Sequence, residues 1–257
     1  MENGKSSKKI TKIVDDTMST ESGSNDATWS PTAESKSKAT TFRIIAVLGW
    51  LLAIGCQVFA YFKLQEVPVN MTWMIGLIVV ALIFAIIGNI LWKKSNRLDP
   101  ASEKNKTKFF IQNQLGLIIS VLAFLPMVIL IFTNKNLNGK QKGILGTIAI
   151  AALAAAGLTG TEFNPASVEQ YTEQTKQVEL LNDGVNSVYW TPSGRSYHLY
   201  QDCSYINGKR TNEIFQGTVA KARELKKITD LCDRCQGKAK KAKALDVGTE
   251  LQKTGSD

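Results

Sequence analysis

No Asp, Glu, Lys, Arg or His falls well inside any of the four long apolar runs of this chain, and histidine occurs once in all 257 residues. The first absence argues against proton- or ion-coupled transport, which needs an ionisable group at membrane depth. The second leaves no spare imidazole for general-base work if the one present is a metal ligand. A secretory signal is not expected either: the first apolar run begins only near Ile44, behind a long polar tail, and no small-residue cleavage site follows it. That run is expected to stay attached as a transmembrane helix. Cysteine occurs four times, and Cys56 lies inside an apolar run, where it reads as a small buried hydrophobe.

The apolar runs cover about residues 44–62, 71–92, 109–133 and 143–160. The first three reach the ~20 residues needed to cross a hydrocarbon core. The fourth is just long enough and made largely of Ala, Gly and Ile, so it leans on its neighbours, with small-xxx-small spacing at Ala151/Ala155 and Ala152/Ala156. Polar groups within the runs are few, among them Gln57, Asn89 and Ser120. Gln112, Asn113 and Gln114 open the third run, where bonds across helices or to headgroups are expected rather than a pore lining.

The net charge of +9 and pI near 9.3 suit either a nucleic-acid binder or a membrane protein with basic cytoplasmic loops. Position decides between them. The 93–108 loop carries Lys93, Lys94, Arg97, Lys104, Lys106 and Lys108, whereas the loop after the first run has only Lys63, balanced by Glu66. This asymmetry places the N-terminus and the 93–108 loop in the cytoplasm. Lys135, Lys140 and Lys142 must then face outward, a poorer fit. If the fourth run crosses, the C-terminus is cytoplasmic; if it does not, the C-terminal region lies outside.

Residues 1–41 are rich in Ser, Thr, Lys and Asp and read as a disordered cytoplasmic tail, because they bury too little to offset ordering entropy. Residues 42–162 form the four-helix transmembrane domain, and 163–186 a helical stem. Asn164-Pro165 is read as its start and Asn182-Asp183-Gly184 as its stop. Residues 187–245 form a small module, and 246–257 a second disordered tail.

Within the module, Val188-Tyr189-Trp190 and Ser196-Tyr197-His198-Leu199-Tyr200 flank the turn Thr191-Pro192-Ser193-Gly194 and predict a hairpin. Gln216-Gly217-Thr218 caps a short helix through Lys226, with Val219, Ala222 and Leu225 on one face. A terminal helix opens at Cys235. His198 and Cys203 form one short-spaced pair and Cys232 and Cys235 a second, which is the ligand pattern of a closed structural zinc site. The alternative, a redox Cys-x2-Cys pair, lacks its βαβ context. Zinc thiolates need a reducing compartment, and outside the cell a Cys232–Cys235 disulfide would compete. Tyr197, Tyr200 and Tyr205 are expected to pack the small core. Hairpin, helix and knuckle alone hold too little core to fold without the metal.

Residues 189–235, with Tyr189-Trp190-Thr191-Pro192-Ser193-Gly194, Tyr197-His198-Leu199-Tyr200, Asp202-Cys203, Gly217-Thr218-Val219, Leu231-Cys232 and Cys235, resemble a small bacterial module appended to membrane and secreted proteins. More distantly they resemble the zinc domain of the Ada DNA-repair protein. The upstream part, with Asn96-Arg97-Leu98-Asp99-Pro100-Ala101-Ser102-Glu103-Lys104, residues 109–133, Gly139-Lys140-Gln141-Lys142-Gly143 and Phe163-Asn164-Pro165-Ala166-Ser167-Val168-Glu169-Gln170-Tyr171, resembles an uncharacterised actinobacterial membrane-protein family. Together these cover nearly everything after residue 40 and imply the architecture, a bacterial origin and zinc, with no assigned activity. In the Ada domain a zinc-bound cysteine, one of four, accepts a methyl group from a DNA phosphotriester. Here His198 replaces one of the four, so the site carries one less negative charge and its thiolates are expected to be less nucleophilic.

The expected fold class is therefore membrane all-α: a four-transmembrane-helix bundle with a C-terminal amphipathic stem and a small α+β zinc module. The expected role is a non-catalytic, multi-pass plasma-membrane protein whose module, held by a structural Zn2+ on His198, Cys203, Cys232 and Cys235, binds or senses a partner. Three alternatives stand beside it. The module could contact anionic lipid or nucleic acid through Lys238, Lys240, Lys241 and Lys243, with Lys221, Arg223, Lys226 and Lys227 behind them. It could accept an alkyl group on a zinc thiolate, or the bundle could form a channel or carrier.

Overall fold

The computed structural model of the chain describes residues 9–13, 28–226 and 228–243. The expected tail at 246–257 lies outside them, as does most of the tail before Thr28. In chain order the elements are β1 (Lys9–Lys12), α1 (Ala33–Leu64), α2 (Met71–Leu98), α3 (Lys106–Thr133), α4 (Gly139–Gly160), α5 (Val168–Leu181), β2 (Val188–Trp190), β3 (Ser196–Tyr197), β4 (Glu213–Gly217), α6 (Val219–Lys226), β5 (Asp230–Leu231) and α7 (Asp233–Lys243). They divide into two units: Pro31–Ser167, which holds α1–α4, and a second made of the residues before Pro31 and those from Val168 onward.

All four helices of the first unit are long and apolar enough to cross a membrane, and only 33% of the apolar stretch of each is buried within the chain. The rest of that surface is exposed and greasy, as at Leu51 (58%), Leu122 (63%) and Leu158 (65%). The buried stripe is built from small residues, including Ala53, Ala60, Ala81, Ala85, Ala149, Ala152 and Ala156, with Met74, Phe124 and Ile131 filling between them. The close row on α4 is Ala149, Ala152, Ala156 and Gly160, while Ala151 is exposed and Ala155 half-buried, so the small-residue spacing predicted from Ala152/Ala156 faces the core and that from Ala151/Ala155 does not. At the end of that row a Cβ on Gly160 would lie 2.5 Å from the Gly116 carbonyl carbon, so α3 and α4 touch backbone to backbone there.

One polar group joins all four helices. Asn89 on α2 is fully buried. Its Oδ1 accepts the Trp50 indole N–H of α1 at 3.0 Å, and its Nδ2 donates toward Ser120 Oγ of α3 at 3.1 Å and toward Ala156 O and Thr159 Oγ1 of α4 at 2.9 and 3.3 Å. In hydrocarbon an amide left without partners costs several kcal/mol, roughly, so a fully engaged one fixes register. At one end of the bundle Arg43 on α1 clasps the turn after α2, donating to Asp99 Oδ2 at 2.7 Å and Asp99 O at 2.9 Å. Gln112 donates to Asp99 O and Gln114 to Glu162 O, both across elements, while Asn113 bonds back to Phe109 O of its own helix.

Two parts of the predicted tail are ordered. α1 begins at Ala33 instead of near Ile44, because Thr32 accepts the Ser35 amide as N-cap, Glu34 sits in the first turn, and Lys38 pairs with Glu34 one turn on. Lys9–Lys12 forms a parallel strand against β4, with Thr11 Oγ1 donating to Glu213 Oε1 at 2.6 Å and Ile13 N to Gln216 O at 2.8 Å. Averaged over 41 residues, composition hides one short β-favouring stretch whose ladder partner lies about 200 residues away. The stem helix also starts later than expected, at Val168, since Ser167 is held extended in a bridge to Ala101. It stops where predicted: Asp183 and Gly184 both have positive φ, and Gly184 N returns to Glu179 O at 2.8 Å.

In the second unit the three-stranded sheet runs β1-β4-β2, with β2 antiparallel to β4, and β3 pairs with β5 in parallel. The expected hairpin reduces to one pair: Tyr189 and His198 exchange backbone hydrogen bonds of 2.7 Å each way. The ladder partners of β2 and β3 come instead from 213–217 and 230–231. Trp190, Tyr197, Ile206, Ile214 and Ile228 fill the core, and Val178 and Leu181 of α5 close it. α6 buries Val219 and Ala222 as expected, but Leu225 is 54% exposed, as the helix is only eight residues long and turns that position outward.

Candidate metal centre

Each of the four ligand candidates is placed by local backbone bonding. His198 follows β3 and is pinned by its double hydrogen bond to Tyr189. Cys203 heads a tight turn, its carbonyl accepting the amides of Ile206 and Asn207 at 3.0 and 2.8 Å. Cys232 follows β5 and donates its amide to Tyr197 O at 2.9 Å. Its own carbonyl accepts Gln236 N at 3.0 Å, so Cys232 stands just ahead of α7 and Cys235 in its first turn. The Cys-x2-Cys pair thus uses a helix start, whose partial positive charge favours thiolates.

Geometry brings all four together. The ligand atoms of His198, Cys203, Cys232 and Cys235 lie within 4.8 Å of one another, and all four residues are buried. Cys235 Sγ is 3.7 Å from His198 Nδ1. A tetrahedron with metal–sulfur bonds of ~2.3 Å and metal–nitrogen bonds of ~2.0 Å has edges of roughly 3.5–3.8 Å, so one small cation fits. All four cysteines are free, with no disulfide between Cys232 and Cys235.

The electrostatics agree with a cation site. Burial pushes the Cys235 thiol up to about 12, with the Cys203 thiol adding to the rise, although the amides of Tyr200 and Leu199 donate toward its sulfur. Burial lowers His198 below its ordinary value, which keeps the imidazole neutral, the form that binds metal. A buried Cys235 thiol that resists ionisation, beside a neutral imidazole and two further cysteine sulfurs, suits a site completed by a positive charge.

Of the three tyrosines expected in the core, Tyr197 is buried, Tyr200 is half-buried, and Tyr205 is 71% exposed. Tyr205 follows the tight Cys203 turn, which throws its ring outward. The four lysines of α7 do not form one free patch. Lys238 lies 4.2 Å over the Tyr200 ring and 3.8 Å from Asp202, and Lys243 donates to Leu180 O and Asp183 at 3.1 and 2.6 Å. Lys240 is half-buried and Lys241 exposed. Arg223 is buried, donating to Gln174 and Gln170 of α5 and lying 5.0 Å over Tyr171. Lys221 pairs with Glu224; the Lys226 side chain and Lys227 lie outside the described residues.

Sequence reasoning missed a groove of about 890 Å3 beside the cluster, running between Gln170, Gln174 and Gln177 of α5 and the strands that deliver His198 and Cys232. Only the i, i+4, i+7 spacing of those glutamines, which puts them on one face of the stem helix, hints at it. In comparisons with known proteins, no family model matches the chain, and no curated protein or solved structure matches either. The functional reading therefore rests on geometry and chemistry.

Proposed function

We propose that this is a four-span integral membrane protein whose C-terminal module is held by one structural Zn2+ on His198, Cys203, Cys232 and Cys235 and uses the adjacent groove to bind a partner. The convergence of the four buried ligand atoms carries the metal reading. Three thiolates and one neutral imidazole form a closed set suited to zinc, with no position kept for water, which favours a structural role over catalysis. The exposed apolar faces of α1–α4 support the bilayer: in water they would form patches far beyond those tolerated by soluble monomers.

β1 bears on topology. It precedes the four apolar helices and β4 follows them, yet the two pair residue by residue from Lys9↔Glu213 to Lys12↔Gln216. Trp29, also ahead of α1, packs edge-on against Tyr171 at 4.6 Å and donates its amide to Thr172. These contacts support a reading in which the segment before α1 and the module after α4 share one side of the membrane, which calls for an even number of crossings with α4 among them. The basic 93–108 loop supports the cytoplasm as that side, where thiols stay reduced.

Binding through nucleic acid is the weaker reading because Lys238 and Lys243 are spent within the module. Metal analysis of the full chain in detergent is the test. One zinc per chain is expected, with loss in His198→Ala and Cys235→Ser; a His198→Ala protein that keeps full zinc contradicts the ligand set.

A further inference from the structure

We infer that the crevice beside Arg43, Trp92 and the first turns of α3 is a binding site for an anionic phospholipid. This rests on the membrane reading above but on none of the metal-site residues. The cavity, of about 640 Å3, has a mainly apolar lining with two basic side chains. Arg43, half-buried, and Lys108, exposed, supply the charge of its lining; Trp92, Ile111 and Leu115 supply its apolar surface.

The parts are preset. The Trp92 ring is fixed by its indole N–H, which donates to Gln112 O at 2.7 Å. Arg43 is held by two bonds to Asp99 and lies 6.0 Å from the Trp92 ring. A guanidinium has five donors, so holding Asp99 leaves others for a phosphate oxygen. The first-turn amide of Lys108 is already capped by Asn105 Oδ1 at 3.0 Å, so recognition falls to side chains and not to the helix end. Ile111 is 47% exposed, and on α1 Ile44, Leu48 and Leu51 continue an outward apolar row past Arg43.

This layout matches a lipid and not a soluble anion. Arg43 and Lys108 carry the charge of the lining, and Trp92, Ile111 and Leu115 give it a mainly apolar surface, with Asn105, Thr107 and Gln112 its uncharged polar members, as one acyl chain beside a headgroup requires. It selects an anionic headgroup because Lys108 adds to the Arg43–Asp99 pair, and the 93–108 loop carries six basic residues against Asp99 and Glu103. A choline or ethanolamine cation would meet like charge there.

The full chain, reconstituted in bilayer discs of equal phosphatidylglycerol and phosphatidylcholine and then released for native mass spectrometry, provides the test. Preferential retention of phosphatidylglycerol is expected. Lys108→Ala, an exposed position with no folding role, is expected to lower that retention ~5-fold, as removal of one charge near an anionic headgroup implies. Lys140→Ala, at the start of α4, is expected to change nothing. Equal retention of the two lipids, an equal loss from Lys140→Ala, or displacement by soluble glycerol phosphate at the same concentration each overturns the site. Extraction of the protein from membranes by an alkaline wash overturns this site and the membrane reading together. Firm retention in the bilayer with no lipid preference overturns this site alone.

Discussion

The bundle and the module solve the same problem, too little self-made core, by opposite means. The bundle leaves most of its apolar surface outward and holds its helices by small residues and by the shared Asn89 amide. The module turns its apolar groups inward but gathers strands from four distant stretches, and a cluster of buried thiols sits where they meet. On the proposed reading the bilayer would supply stability in the first case and a bound ion in the second. Cohesion in each unit is thus expected to respond to different perturbations.

Metal removal is the largest expected perturbation. Chelation, or Cys235→Ser, should cost the module up to ~10–16 kcal/mol of coupled binding and folding energy. Hydrogen exchange should rise across α5 to α7 and stay low in α1–α4. Simultaneous loss of protection in both regions would dissolve the contrast.

Acidity comes next. Metal binding must displace protons from three thiols, so affinity measured by competition with a chromogenic chelator should fall as pH drops, up to ~1000-fold per pH unit where all three are protonated. Without metal the sign reverses. A Cys235 thiol raised from 9.0 to about 12 holds its proton more tightly folded than unfolded. That stabilisation is complete below 9.0 and is lost as pH climbs toward 12. Alkali should therefore weaken further any residual fold that the module keeps after chelation.

Gly160→Leu tests the other side. A side chain there meets the Gly116 backbone, and overpacking of this kind costs roughly 1–3 kcal/mol. Detergent unfolding should shift accordingly while zinc content stays at its original level. Asn89→Ala is smaller, about 1–2 kcal/mol, since Ser120 keeps its bond to Gly116 O while the Trp50 N–H loses its acceptor. A shift larger than that of Gly160→Leu would mean the amide, and not close packing, dominates the bundle.

What the sequence disclosed follows the range of the forces involved. Long apolar runs, Thr218 as a cap, the Asn182-Asp183-Gly184 stop and the two short ligand pairs are local signals, and the structure has helices, a turn and a cluster at those places. Helix ends were less legible: Thr32 and Ser95 lie in polar stretches, where caps and tertiary bonds extend α1 and α2 beyond their apolar segments. Val188–Trp190 and Ser196–Tyr197 read as extended and are strands, but the pairing of the sheets was not legible. β5 is two residues long, β3 pairs with it, and the partner of β1 is β4, so no local pattern could reveal those ladders. Arg223 was read as part of a basic surface, but Gln170 and Gln174 of a separate helix take its donors.

β1 precedes the four apolar helices in the chain and β4 follows them, yet Lys9 is matched with Glu213. β1 must therefore wait, unpaired, while the helices between the two are synthesised. The sheet can close only after all four have left the ribosome.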